Sequence, residues 1–482
     1  MKKLQDVLVG VEVQQIVGNE NAEISSVVFD SRKADKDSLF VAIKGNKGDG
    51  SLYINSAIEN GSRVIVCEEI HDIKPEVAYI VVSNARKALA LIAQNFFNNP
   101  TTKLKLVGVT GTNGKTTTAT LLYKLFMNLG YKCALISTVE NKINNEVFPT
   151  DHTTPDPVTL AQFVDMAVSK GCQYAFMECS SHAIDQDRID GMIFAGAIFT
   201  NLTLDHLDYH KTFDAYAHSK KRFFDMLDKS AFAVANIDDA NAELMLSETK
   251  AKKHYISLKN KKADFGGGIV ENNLKGLKIK IGEKCIESKL VGEFNAYNIL
   301  GIYASVVLLG ESSERVIEKF KDLSAPSGRL EFIESKSGVF GVVDYAHTPD
   351  ALENVLKTLN ETKSKSTQII TIVGCGGDRD KTKRPIMGGI ATKLSDYTIF
   401  TSDNPRSENP EAILADITVG ADSTRPLDVE VDRAKAIAKA CARAKPGDII
   451  LVAGKGHEPY QIFKDKTVHF SDVEELHKNF GL

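Results

Sequence analysis

The hydrophobic positions of this chain fall into two alternating kinds of run. Short, continuous apolar stretches rich in Val and Ile, such as Leu104–Val109 and Gln368–Val373, read as strands buried on both faces. Longer stretches with apolar residues every three or four positions, such as Ala85–Phe97 and Thr116–Leu129, predict helices, and Gly130 stops the second. In the first hundred residues the strand candidates are Ile24–Phe29, Ser38–Ile43, Val64–Glu68 and Tyr79–Val82. Leu104–Val109, Cys133–Thr138, Tyr174–Cys179, Ala197–Thr200 and Phe232–Ala235 then alternate with helical segments, the pattern of a parallel sheet covered by helices. Gly266–Gly268 and the alternating Leu274–Ile281 predict a small antiparallel excursion before helices at about 296–323. Phe340–Val343, Gln368–Val373, Tyr397–Thr401 and Asp448–Val452 predict a second doubly wound unit.

Breaker clusters at Asn98–Thr102 and Ala325–Gly328 separate these regions. The expected architecture is therefore α/β in three domains, 1–100, 101–327 and 328–482, which suits a chain of 482 residues. Composition narrows the function. With 59 basic and 63 acidic residues the formal charge is −4, so nothing favours a nucleic-acid partner, although a local basic cleft remains open. No apolar run is long enough to cross a bilayer, and the start lacks the apolar stretch of a signal peptide, so no membrane insertion is expected. Seven scattered cysteines without a Cys-x-x-Cys pair predict reduced, mostly core thiols and a cytoplasmic protein.

The strongest local signal is Gly108-Val109-Thr110-Gly111-Thr112-Asn113-Gly114-Lys115-Thr116, which follows a strand and opens a helix. Glycines there let backbone N–H groups approach phosphate oxygens, Lys115 can reach the β and γ phosphates, and the Thr116 hydroxyl can ligate Mg²⁺. The usual first glycine is replaced by Val109, so the generic phosphate-loop pattern is met imperfectly; a purely structural strand-to-helix turn is the alternative. Glu178 and His206 each follow a predicted strand of the same domain, where strand ends converge on a nucleotide crevice. Both are candidate metal ligands, although Mg²⁺ prefers oxygen. Singly, each reads as a capping or surface residue.

Thr110–Thr117, Glu178–His182 and Asn201–His210 together resemble the Mur ligases, the ATP-dependent amide-forming enzymes of bacterial peptidoglycan synthesis. The resemblance continues through Asp30-Ser31-Arg32 with Leu39–Ala42, Gly292–Asn298, Gly328-Arg329, Asp344–Asp350, Gly376–Asp380 and Gly454–Glu458, and so reaches every domain. It implies an N-terminal UDP-binding domain, a central P-loop ATPase domain and a C-terminal Rossmann-like domain. Asp403-Asn404-Pro405-Arg406 resembles the signature of the members that add meso-diaminopimelate to UDP-N-acetylmuramoyl-L-alanyl-D-glutamate; lysine-adding members usually lack the arginine. By itself this tetrapeptide is an ordinary turn after a strand.

What the resemblance implies for the site can be stated residue by residue. ATP would be held by Gly111, Thr112, Asn113, Gly114, Lys115, Thr116, Thr117, Asn298 and Arg329. Mg²⁺ would sit on Thr116, Glu178 and His206, with Lys220 as a CO₂-derived carbamate; Lys115, Glu178, His206 and Lys220 form the catalytic set. Adjacent Lys221 competes for the modified position, and apart from the resemblance both lysines read as a solvated helix face. The UDP-sugar dipeptide would meet Phe29, Ser31, Asn46, Lys47, Gly48, Thr153, Thr154, Ser181, Gln186 and Arg188, while His152 stands where some relatives have asparagine and is left without a role. Diaminopimelate would meet Arg379, Asp403, Asn404, Pro405, Arg406, Gly454 and Glu458. The implied partners are these small molecules only, acting on a monomer. Two alternatives stay open: the same ligation with L-lysine, and a catalytically silent nucleotide-binding regulator.

Overall fold

In a computed structural model, which describes residues 1–45, 48–150, 152–260 and 262–482, the chain builds three main sheets in sequence order. The first sheet runs Val13–Val17, Ala78–Val82, Val64–Cys67, Leu39–Val41 and Val27–Val28, parallel except for its first strand. In the centre, Cys133–Ile136, Tyr174–Glu178, Lys105–Thr110, Gly196–Phe199, Phe232–Asn236 and Lys252–Ser257 lie side by side, all parallel. The hairpin Asn141–Ile143 with Glu146–Phe148 extends one edge antiparallel; at the other, Phe265–Asn273 joins Lys252–Ser257 in parallel and continues antiparallel into Gly276–Ile281 and Lys284–Ser288. The third sheet orders Phe340–Asp344, Ile449–Ala453, Ile369–Val373, Tyr397–Thr401 and Leu427–Glu430 in parallel, with Glu331–Glu334 antiparallel at one edge.

The strands expected from apolar runs form within a residue or two, because each is buried on both faces. One departs from expectation: Ile24–Phe29 is split into Glu23–Ile24 and Val27–Val28, which pair with different strands. Strands without a continuous apolar run, including Val13–Val17, Lys252–Ser257 and Leu427–Glu430, lie next to such runs and escape a pattern reading.

The central strand Lys105–Thr110 shows how register positions the site. Val107 and Val109 join the core under helices Lys115–Asn128 and Glu293–Leu308. Leu106 faces the opposite core, with Phe194 and Phe223. Gly108 shares that second face, since side chains alternate along a strand. A Cβ there would lie 2.4 Å from the Phe223 ring and 2.9 Å from Cys179 Sγ. The first glycine of the motif is thus a packing glycine, and it lets the helix carrying Lys220 approach the sheet. Gly108→Val should destabilise the protein by about 1–3 kcal/mol through overpacking, read as a urea unfolding transition at lower denaturant.

Candidate active site

The strand Lys105–Thr110 leads into the loop Gly111–Gly114, and the helix Lys115–Asn128 starts directly after it. Gly114 caps that helix at φ 86°, and Gly111 stands at φ 151° where a Cβ would meet Thr200 Oγ1 at 1.9 Å. Only glycine satisfies both the backbone and the close approach. The end of strand Gly196–Phe199 braces the loop from outside. Thr112 N donates to the Asn201 carbonyl (2.8 Å), Asn113 N to Asn201 Oδ1 (3.0 Å), and Thr200 Oγ1 to the Asn113 carbonyl (2.6 Å). Lys115 Nζ folds back onto the carbonyls of Gly111 and Thr112, both at 2.9 Å. Desolvation pulls its pKa below the usual lysine value.

Glu178 ends its strand fully buried, so the capping-or-surface alternative does not hold for it. One carboxylate oxygen accepts from the Thr116 hydroxyl (3.0 Å) and the other from Thr138 N (2.7 Å). Thr154 Oγ1 donates to the Glu178 carbonyl at 2.7 Å, and Thr153 accepts from Thr138 Oγ1 at 3.0 Å. His206 occupies the N-cap of the short helix Leu207–His210 in the left-handed region, with 42% of its side chain exposed. Its ring stands edge-on to His182, centroids 4.8 Å apart. Desolvation, reinforced by His182, Lys115 and Lys220 against the pull of Asp205, pushes its pKa down to about 4. The imidazole is therefore neutral near pH 7.

Lys220 lies on the helix Phe213–Asp225 and is 1% exposed. Its Nζ donates to the Gly111 carbonyl at 2.8 Å and sits 4.5 Å over the Tyr216 ring. Desolvation, with Lys115 adding repulsion, lowers its pKa well below the ordinary value. Lys221 is buried too, but its ammonium is held by Asp225 and Glu248, both at 2.7 Å, which raise its pKa against the effect of burial. The solvated-face alternative is thus corrected for both: this side of the helix packs inward, and the two neighbours meet opposite environments.

Lys115, Thr116, Glu178, His206 and Lys220 line one cleft of about 800 Å³, together with Thr112, Asn113, Gly114, Thr117, Asn298 and Arg329. Gly111 lies against it through Lys115 and Lys220. Of the residues expected at the UDP-linked substrate, Thr153, Thr154, Ser181 and Arg188 share this cleft, as does His152, and Gln186 Oε1 accepts from Arg188 Nη2 at 2.7 Å. Phe29, Ser31 and Gly48 belong to the N-terminal region and do not line it, and Asn46 and Lys47 fall outside the described residues.

The residues expected at the amino acid gather separately, where the third sheet's strands end. Asn404 Nδ2 donates to Glu458 Oε2 at 2.8 Å, and Pro405 is buried beside them. A Cβ on Gly454 would lie 2.6 Å from Asp403 Oδ2, and one on Gly376 would lie 2.8 Å from Arg406 Nη1 and 3.7 Å from Arg379 Cγ. Arg406 thus meets Gly376 with its guanidinium, and the exposed Arg379 meets it with its aliphatic stem. Arg329 and Tyr345 connect this cluster to the cleft. The Arg329 guanidinium lies 4.6 Å over the Tyr345 ring, which packs at 5.3 Å against His457.

Sequence reasoning omitted several residues that shape the site. Asp350 Oδ2 accepts from Asn113 Nδ2 (3.0 Å) and Thr203 Oγ1 (2.9 Å), tying the C-terminal region to the phosphate loop. It was visible as the last residue of Asp344–Asp350. Thr138 and Tyr216 carry no local signal, since only the fold brings them to Glu178 and Lys220.

Among the described residues no three His, Cys, Asp or Glu side chains converge into a ready-made metal site. The Thr116 hydroxyl and the buried Glu178 carboxylate nevertheless make an adjacent pair of hard oxygen donors. Mg²⁺ typically takes one or two protein oxygens and fills the rest of its octahedron with phosphate and water, so this pair fits it.

A strand-to-helix glycine loop facing a buried carboxylate, with a separate cluster of charged side chains on a third sheet, is the arrangement of a nucleotide-using enzyme. Family models agree, in order along the chain: "Mur ligase family, catalytic domain" at residues 23–97, "Mur ligase middle domain" at 109–306 and "Mur ligase, glutamate ligase domain" at 328–456. The chain belongs to the Mur ligase family. It is 47% identical over 482 residues, 99% of both chains, to the UDP-N-acetylmuramoyl-L-alanyl-D-glutamate–2,6-diaminopimelate ligase of Phocaeicola vulgatus. It is 49% identical over 483 residues, again 99% of both, to the enzyme of that name from Parabacteroides distasonis. A solved structure of a ligase with the same name superposes with a TM-score of 0.73 at 32% identity, covering 100% of this chain and 99% of that one. MurF ligase from Thermotoga maritima in complex with ADP shares the fold, with a TM-score of 0.64 at 19% identity over 94% of this chain and 96% of that one.

Asp350→Ala removes two hydrogen bonds to a charged acceptor that link the regions. Hydrogen bonds of this kind contribute about 1.5–3 kcal/mol. Amide exchange at 111–114 and 201–204 should accelerate in the variant while the core strands keep their protection.

Proposed function

We propose that this chain joins meso-2,6-diaminopimelate to UDP-N-acetylmuramoyl-L-alanyl-D-glutamate in peptidoglycan precursor synthesis, consuming ATP and releasing ADP and phosphate. The observation that carries the ligase chemistry is the convergence of Lys115, Glu178, His206 and Lys220 on one cleft. The full-length likeness to ligases of that name supports the substrates. No helix among the described residues is long and apolar enough to cross a membrane, and the seven cysteines are free thiols. Both fit a cytoplasmic monomer working on small molecules. The domain bounds 1–100, 101–327 and 328–482 belong to the same reading, and each stretch carries its own main sheet.

A carboxylate is a poor electrophile, so the γ-carboxylate of D-glutamate must first take the ATP γ-phosphoryl group to become an acyl phosphate. The incoming amine then attacks the carbonyl and expels phosphate. Negative charge accumulates on the phosphoryl oxygens, and catalysis is chiefly positioning and electrostatic stabilisation. The N–H groups in the first turn of the helix Lys115–Asn128 suit the polyphosphate, the loop before it being braced by Asn201, and Lys115, freed from its loop carbonyls, follows the γ-phosphate. Bound Mg²⁺ would neutralise charge on the phosphates, held by Thr116 and Glu178. Arg329, whose Nη2 is 3.4 Å from Thr116 Oγ1, adds a cation to the same place. Neutral His206 and an anionic Lys220 side chain would serve the second half of the metal site.

Lys220 is suited to carbamylation because burial favours the neutral form of its amine, and a neutral amine adds to CO₂, losing a proton as the carbamate forms. The product would place an anion next to Lys115. Lys220→Ala should reduce turnover by roughly 10²–10³-fold or more and regain part of it with added formate or acetate. Lys221→Ala should be mild in a steady-state phosphate-release assay.

The amino acid is selected by charge. Diaminopimelate has a carboxylate beside its distal amine that lysine lacks, and the half-buried Arg406 offers planar donors for it, with the exposed Arg379 nearby, while Glu458 and Asp403 suit ammonium groups. A site whose charged groups the analogue leaves unpaired discriminates against it, by up to roughly 10⁴–10⁵ where those groups are buried. A phosphate-release assay with the UDP-dipeptide and a panel of amino acids should show strong preference for meso-diaminopimelate. Arg406→Ala should raise the KM for it and narrow the gap to L-lysine. Equal use of lysine by the unaltered enzyme would move the assignment to the lysine-adding reaction, and no release with any amino acid would favour the silent regulator.

A further inference from the structure

The side chain of Lys455 is fully buried beneath the amino-acid cluster, 0% exposed, in the loop after strand Ile449–Ala453. Burying an ammonium is costly unless it is paired and hydrogen-bonded. Its partners are the residues expected to face the substrate. Nζ donates to Asn404 Oδ1 at 3.1 Å and lies 3.3 Å from Glu458 Oε2, with the Tyr460 ring 5.6 Å away. Asn404 Oδ1 also accepts from Ile462 N at 3.0 Å. With its oxygen so engaged, the Asn404 amide can point only its NH₂ at Glu458, and Asn404 Nδ2 donates to Oε2 at 2.8 Å. Two donors thus converge on one carboxylate oxygen of Glu458, which fixes the rotamer and leaves Oε1 as the outward acceptor.

We propose that Lys455 is a positioning residue for amino-acid selection, holding Glu458 oriented to receive an ammonium of the incoming amino acid. The proposal rests on the diaminopimelate-ligase reading given above. Lys455 does not itself touch substrate: it is shut away from the surface, and its donors are directed to Asn404 and Glu458. Arg433 supports the arrangement from below. Fully buried, it pairs with Asp472 through Nε at 2.7 Å and donates from Nη2 to the Ala453 carbonyl at 3.0 Å, anchoring the strand end from which the Lys455 loop departs.

The test uses the full-length enzyme and compares K455M, K455R, E458Q and the double variant K455M/E458Q in steady-state kinetics, with each substrate varied in turn and thermal melts recorded. K455M should raise the KM for diaminopimelate by roughly tenfold or more, with KM for ATP and for the UDP-dipeptide, and kcat, changed by less than about threefold. K455R, which keeps the charge, should recover part of the loss. The double variant should bind the amino acid no worse than E458Q alone, because the carboxylate that Lys455 orients is already gone. An unchanged KM for diaminopimelate in folded K455M, or additive losses in the double variant, would overturn the proposal. Should K455M fail to melt cooperatively, the double variant, which removes both charges, decides the matter against E458Q on the same criterion. If the unaltered enzyme does not use diaminopimelate, the functional reading fails first, and that outcome is distinct from a silent Lys455.

Discussion

Glu178 is a buried carboxylate at the wall of the cleft, and the central domain is arranged around that fact. A buried charge is tolerated only with partners. Here they come from two directions: the Thr138 backbone N–H beyond the neighbouring strand, and the Thr116 hydroxyl in the first turn of the phosphate-loop helix. These bonds set the helix start against two strand ends. The loop between them is then short, positive in φ at two glycines, and braced by Thr200 and Asn201. The same geometry that satisfies the carboxylate leaves oxygen donors and backbone N–H groups turned toward one cleft.

Around this anchor the charges are sorted by environment rather than by residue type. Lys115 rests on backbone carbonyls, Lys220 donates to a single backbone carbonyl, and Lys221 has two carboxylates. Adjacent lysines on one helix therefore have opposite tendencies, one toward the free amine and the other toward a fixed ammonium. In the C-terminal domain Lys455 shows a third case, in which a buried lysine has a side-chain amide and a carboxylate as its partners.

The two halves of the chemistry are built on different sheets, so their relative placement depends on a few contacts between regions. Asp350 grips the phosphate loop, and the stack of Arg329, Tyr345 and His457 leads from the nucleotide cleft to the amino-acid cluster. An acyl phosphate must be met promptly by an amine if water is not to consume it, and such a seam brings the two pockets together.

The amino-acid sequence by itself determined the α/β class, most strands of the parallel sheets, the phosphate loop and the motif residues of the cleft. It could do so because strands buried on both faces and glycine-dependent turns impose local, one-dimensional patterns. It left Val13–Val17, Lys252–Ser257 and Leu427–Glu430 unseen, since edge or half-buried strands need no continuous apolar run. Only the tertiary structure gave Lys221 two carboxylate partners and Lys220 a backbone carbonyl, placed Thr138 and Tyr216 at the site, and put Lys455 under Glu458. Ionisation and hydrogen bonding depend on what surrounds a group in space, and residues distant in sequence supply those surroundings.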